Sequence, residues 1–189
     1  MRTVASLLCL LCIDLALMAS PARGQALVRG LAEGAKIEVR SPAFDDGDPI
    51  PKKYTCDGEG VRPPLAWGEV PVGTRSLAVF IEDGGYLKTM WTLWSAYNLP
   101  PDLRQLPEGA PLPAGAQEGQ GDWGKVGYDP PCPKAGKRTY VVTVYALNAP
   151  VDEKVGQAPL PDDLKNAMDL KVLGSGHLRF TYERAAATP

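Results

Sequence analysis

Nineteen prolines and twenty glycines cut this 189-residue chain into short segments, and such punctuation suits strands joined by irregular loops. Residues 75–83 (R-S-L-A-V-F-I-E-D) are almost continuously apolar, as a strand buried on both faces would be. Residues 91–99 and 138–147 are rich in aromatic and β-branched side chains and predict two more strands. Residues 36–40 (K-I-E-V-R) alternate in the strand manner, and 177–183 predict a last strand. Turn clusters fill 45–51 and 57–60. From 101 to 133 proline and glycine crowd the chain, predicting a loop of a length usually reserved for function or motion. Only 161–173 predict a convincing helix. Pro161 suits its first turn, Asp162 and Asp163 suit the positive dipole end, and Gly174 can end it. Leu164, Ala167, Met168 and Lys171 share one face, so this helix should cover a sheet. The expected class is a β-dominated domain, all-β with peripheral helices.

The N-terminus carries one positive charge at Arg2 and an apolar run from Val4 to Ala19, interrupted by Asp14. With the small residues Ala22 and Gly24, this predicts a secretory signal over 1–24, cleaved before Gln25 or, alternatively, after Ala22. The run is short and poorly flanked for a membrane span, which disfavours the rival reading of an uncleaved anchor. A loose leader (25–35), one domain (36–184) and a tail (185–189) follow, and localisation is expected to be periplasmic or secreted. Removing 24 of 189 residues leaves 165, enough for one domain with a real core. Without Arg2, Arg23 and Asp14, the 20 basic and 22 acidic residues become 18 and 21, a net charge of −3. So mild an acidity gives no electrostatic reason to expect nucleic acid or an anionic membrane as partner. The mature chain keeps two cysteines, Cys56 and Cys132. They are either a disulfide or two buried thiols, and an oxidising compartment favours the bond. Closing a loop of 76 residues is worth roughly 4–5 kcal/mol in the chain-entropy model.

Several patterns imitate catalytic motifs without their context. Residues 119–125 (G-Q-G-D-W-G-K) fit two phosphate-loop patterns, but no buried strand precedes them and no helix signal follows. His177 is the single histidine and reads as a solvated strand-end residue; no G-x-S-x-G elbow accompanies any serine. A zinc site would require Cys56, Cys132 and His177 to converge without paired ligand spacing, and Asp45, Asp46 and Asp48 lack the spacing of a calcium loop. No metal, no cofactor and no enzymatic activity are expected.

Four stretches, taken together, resemble the phosphatidylethanolamine-binding protein family in its bacterial Raf-kinase-inhibitor-like branch. They are 41–44 (S-P-A-F) with 50–58 (I-P-K-K-Y-T-C-D-G) and 63–67 (P-P-L-A-W); 70–83 (V-P-V-G-T-R-S-L-A-V-F-I-E-D); Trp94 with 98–100 (N-L-P); and 127–133 (G-Y-D-P-P-C-P) with Gly136, Tyr140 and 144–147. The ending 181–184 (T-Y-E-R) also fits, so the resemblance spans about 36–184. It implies two packed antiparallel sheets, a small helical cover, and a shallow pocket for an anion such as a phosphate head group.

The family builds that pocket from an Asp-Pro-Asp-Ala-Pro loop, a His-Trp pair, a Gly-Pro turn and a His-Arg-Tyr strand. In this chain Asp83 matches, but Gly84 and Gly85 replace the following proline and aspartate, and Leu93 stands where the histidine before Trp94 belongs. Pro130 replaces the turn glycine and removes its N–H donor. Of the expected pocket Asp83, Trp94, Pro131 and Tyr140 remain. Arg138 replaces the strand histidine, two residues from Tyr140 and so on the same face. A guanidinium there suits phosphate or carboxylate, so the pocket is either retuned for an anion or vestigial, with Arg138 paired to Asp83. The resulting expectation is a binding protein for a small anionic or phosphorylated ligand. The alternative is a protein-interaction module, an inhibitor of a protease or kinase, whose contact surface is the 101–133 loop with Trp123.

Overall fold

The structure is a computed structural model that describes residues 34–84 and 90–185. The expected signal segment, most of the leader, the end of the tail and residues 85–89 lie outside the described residues.

Among the described residues nine strands form two sheets. They are β1 (Ala35–Lys36), β2 (Val39–Arg40), β3 (Leu65–Trp67), β4 (Ser76–Asp83), β5 (Trp91–Leu99), β6 (Gln105–Leu106), β7 (Gln117–Glu118), β8 (Gly136–Leu147) and β9 (Val172–Arg184). The larger sheet runs β1-β9-β8-β4-β5-β7 and the smaller β2-β3-β6. Every pairing is antiparallel except β1 with β9. Among the described residues one helix, α1 (Pro161–Met168), is accompanied by 3-10 turns at Lys52–Tyr54 and Glu153–Val155.

The continuous apolar run becomes β4, in which every residue is buried because both faces are covered. Leu77, Val79 and Ile81 face the smaller sheet and pack with Val39, Leu65, Trp67 and Leu106. Ala78 and Phe80 face the other way, onto Leu164 and Met168 of α1. Fully burying each of the larger side chains among them contributes about 1.5–3 kcal/mol, so this alternation holds the three layers together.

Three expectations need correction. The alternating segment 36–40 is two strands, β1 joining the larger sheet and β2 the smaller. Alternation marks extended backbone but not which neighbour it pairs with. The helix ends at Met168, not at residue 173: Asp169 leaves helical geometry and Leu170 takes φ 62°. Gly174 therefore ends no helix. It lies within β9, where any Cβ would come 2.3 Å from the Ala35 carbonyl oxygen, so glycine permits the close parallel approach of β1. The last strand begins five residues early, at Val172, which places His177 in mid-strand with Nδ1 3.0 Å from Thr143 Oγ1.

The 101–133 segment is a loop apart from the two-residue strands β6 and β7. β6 pairs with β3, whereas the stretch from β7 to Asp129 runs along the outer edge of β5 and extends the short β7 pairing with irregular backbone contacts. Gly119, Asp122 and Asp129 donate backbone N–H groups to the Ser95, Thr92 and Leu93 carbonyls, and the Asp122 carboxylate accepts from the Thr92 N–H. Residues 119–125 form a turn closed by a Gln120–Val126 bridge.

Candidate functional site

At one end of the larger sheet the β4–β8 register sets Asp83 opposite Tyr140 and Glu82 opposite Val141, while the Gly84 N–H donates to the Thr139 carbonyl. Asp83 is the last residue of β4, so its carboxylate sits where the sheet opens. Arg138, two residues before Tyr140 on the same face of β8, turns back onto it. Its Nε donates to Asp83 Oδ1 at 3.2 Å and its Nη2 to Oδ2 at 2.9 Å. This two-pronged pair fits the planar guanidinium to both carboxylate oxygens. The Arg138 side chain retains 28 % of its accessible surface and that of Asp83 11 %. Tyr140 is buried beneath them, stacked on Phe180 at 5.2 Å between centroids, and Phe44 meets Phe180 edge-on. Burial, with the Asp83 charge added, pushes the Tyr140 hydroxyl well above its ordinary pKa, so it is a neutral group at any physiological pH.

A second carboxylate–guanidinium unit stands on the neighbouring strand. Register places Tyr182 beside Arg138. The Tyr182 hydroxyl donates to Asp57 Oδ2 at 2.5 Å, and Arg184 Nη2 lies 2.9 Å from Asp57 Oδ1. Arg184 Nη1 also reaches Cys132 Sγ at 3.5 Å. Asp57 is held below the usual carboxylate range, first by the Tyr182 hydroxyl and then by Arg184. Cys56 and Cys132 form a disulfide with Cα atoms 5.4 Å apart, and the Cys56 N–H donates to the Pro131 carbonyl at 3.3 Å. The bond fastens the turn after Lys52–Tyr54 to the buried Pro131.

Asp83, Arg138 and Tyr140 thus come together as the sequence predicts, with Pro131 in the loop that the disulfide anchors. Trp94 lies deeper, opposite Ile81 in the β4–β5 register and within the core that also holds Tyr140. It is fully buried, its indole N–H donates to Glu118 Oε1 at 2.7 Å, and the Arg62 guanidinium lies 5.0 Å from its ring centroid. Leu93, in place of the family's histidine, is buried in a bulge between Ile81 and Glu82 of the β4–β5 pairing. Sequence reasoning missed the Asp57–Tyr182–Arg184 unit, because Asp57 stands 125 residues before Tyr182 and outside any strand. It also missed Arg62 and Glu118, which line a separate cavity. Among the described residues, no group of three or more His, Cys, Asp or Glu is arranged to hold a metal ion.

Two packed sheets with one helical cover, and an acid–arginine pair where the central strands end, define a small β-sandwich class with a charged rim. The sequence model of the phosphatidylethanolamine-binding protein family matches residues 40–183. A UPF0098 protein of Methanothermobacter thermautotrophicus is 38 % identical over 152 residues, covering 78 % of this chain and 99 % of the relative. A UPF0098 protein of Chlamydia trachomatis is 36 % identical over 153 residues, covering 78 % and 99 %. Among solved structures, a putative phosphatidylethanolamine-binding protein homologue from C. trachomatis superposes with TM-score 0.72 at 35 % identity, covering 79 % of this chain and 98 % of that one. YbcL of E. coli, described as a new member of the mammalian family, superposes with TM-score 0.70 at 26 % identity, covering 79 % and 99 %. The chain belongs to the phosphatidylethanolamine-binding protein family.

Proposed function

We propose that this protein is an exported, non-enzymatic member of its family that binds a small anionic or phosphorylated ligand weakly, at Asp83, Arg138 and Tyr140. The observation that carries this reading is the two-pronged Arg138–Asp83 pair at the open end of the sheet. An incoming phosphate would share a guanidinium already held by a carboxylate, and would meet that carboxylate's charge, so affinity stays low. The neutral Tyr140 hydroxyl offers a donor without adding charge. Nothing in the cluster sets a base beside a nucleophile, which is why binding is favoured over catalysis. The signal-like N-terminus and the Cys56–Cys132 bond support export, since structural disulfides persist in oxidising compartments.

Calorimetric titration with phenyl phosphate tests the site. Arg138→Ala should abolish binding, whereas Asp83→Asn, which removes the competing charge, should strengthen it about tenfold, or 1.4 kcal/mol. Unchanged affinity in both variants would sink the assignment.

A second reading, a protein-interaction module that inhibits a protease or kinase, is favoured by the aromatic ledge on the long loop. Trp123 is 59 % exposed and stacks on Trp91, itself 43 % exposed, at 5.8 Å between centroids. Exposed tryptophans are disproportionately frequent at interface centres.

A further inference from the structure

The cavity beneath the loop that carries residues 109–112 holds two opposite charges that neither reading above employs. It measures about 480 Å³, and its walls include Val61, Arg62, Leu112, Ala116, Glu118 and Tyr128. Arg62 is 6 % exposed, an unusual degree of burial for a permanent cation. Its Nη1 donates to the Pro63 carbonyl at 3.3 Å, and its Nη2 to the Pro107 and Ala110 carbonyls at 3.0 and 2.9 Å. Three carbonyls and the Trp94 face orient the guanidinium without neutralising it, because none carries a full negative charge. Burial lowers the Arg62 pKa from its ordinary value, and Glu118 is the first charge to raise it again.

Glu118 is nonetheless not its ion-pair partner. Among the described residues no ion pair within 4.0 Å joins the two. Glu118 Oε1 is engaged by the Trp94 indole N–H, and no described residue donates a hydrogen bond to Oε2. Gly127, at φ 91°, lies beside that oxygen, where a Cβ would stand 3.5 Å away. Glycine leaves this side of the carboxylate approachable. Tyr128, behind it, is held neutral by burial, and its hydroxyl is spent on the Tyr54 carbonyl at 2.8 Å.

A lone anion in this cavity would meet Glu118, and a lone cation would meet Arg62. A purely apolar guest would strip water from both charges without replacing it. A molecule with both charges satisfies both walls, and Val61, Leu112 and Ala116 offer apolar surface to a side group. We propose that this cavity binds a small amino-acid-like zwitterion, its carboxylate on Arg62, its ammonium on Glu118 and an apolar side group on Val61 and Leu112. The site shares no residue with the Asp83–Arg138 pair.

The test is an NMR titration of the full chain, following the assigned Trp94 indole N–H, which reports on Glu118 directly. The probes are L-leucine, isovalerate (no ammonium) and isoamylamine (no acid). Leucine should move this resonance and bind at least tenfold more tightly than either half-molecule. Glu118→Gln keeps an oxygen acceptor for Trp94 but removes the charge, so leucine should lose at least tenfold in affinity while isovalerate gains. Arg138→Ala should leave the leucine titration unchanged. The proposal is overturned if leucine leaves the Trp94 signal in place, if it binds no better than the half-molecules, or if Arg138→Ala removes its binding. Should Glu118→Gln fail to fold, the three probes on the unmodified chain decide alone.

Discussion

Glu82 and Asp83 are consecutive carboxylates at the end of one strand, and the pleat sends them to opposite faces with opposite fates. Glu82 points beneath α1, where Lys165 Nζ lies 2.7 Å from Oε1 and the Thr92 hydroxyl donates to the same atom at 3.2 Å. Its side chain retains 4 % of its accessible surface, and Lys165 also sits 5.6 Å from the Phe80 ring centroid. Asp83 points to the other face and pairs with an arginine at the open rim. The first pair is enclosed between helix and sheet and ties the two together. The second is reachable from solvent, so its cation can exchange partners. Burial, rather than the presence of a salt bridge, separates a structural pair from a binding one.

The contrast can be broken by removing each cation in turn. Lys165→Met leaves Glu82 buried without its counter-charge and should cost about 2–3 kcal/mol in urea unfolding. That lies below the fully buried range because Lys165 is one-third exposed. Phosphate-analogue binding should survive this change. Arg138→Ala should cost only about 1 kcal/mol, because the pair it breaks is partly solvated, yet it should remove the ligand response. Equal losses of stability in the two variants would erase the distinction.

The smallest effect concerns the neighbouring Asp57. Its folded pKa lies below the unfolded value of about 3.9, so its contribution to stability is present above that pH and is lost as pH falls through the folded value. Tyr182→Phe removes the largest cause of the depression. A carbon-detected titration should therefore show Asp57 moving up toward its ordinary value, and acid unfolding should begin at a higher pH. An unmoved Asp57 would mean that Arg184 alone sets its charge.

Much of the architecture was legible where burial leaves a periodic mark. The apolar run of β4, the aromatic stretches of β5 and β8 and the apolar face of α1 all fall where composition placed them. The short strands β6 and β7 left no such mark, because two residues cannot display a period. The helix was overestimated because residues 169–173 keep helical spacing, while pairing with β8 claims Val172 for a strand. At the rim, Arg138 and Asp83 were foreseeable from strand parity and the need of a buried cation for a counter-charge. Arg62 was not. It stands between the 57–60 turn cluster and two prolines, with no periodic mark of burial, and the carbonyls that hold it belong to the distant Pro107 and Ala110.

The long loop along β5 has a consequence for how these molecules behave beside one another. An outer strand with unmatched amides and carbonyls is a template on which a second chain can add itself. Here Gly119, Asp122 and Asp129 already occupy the carbonyls of Ser95, Thr92 and Leu93, and the Asp122 side chain caps the Thr92 amide. The irregular backbone offers no straight ladder in return. A segment that looks like slack in the sequence thus acts as a selvedge, protecting β5 against edge-to-edge association when the protein is concentrated.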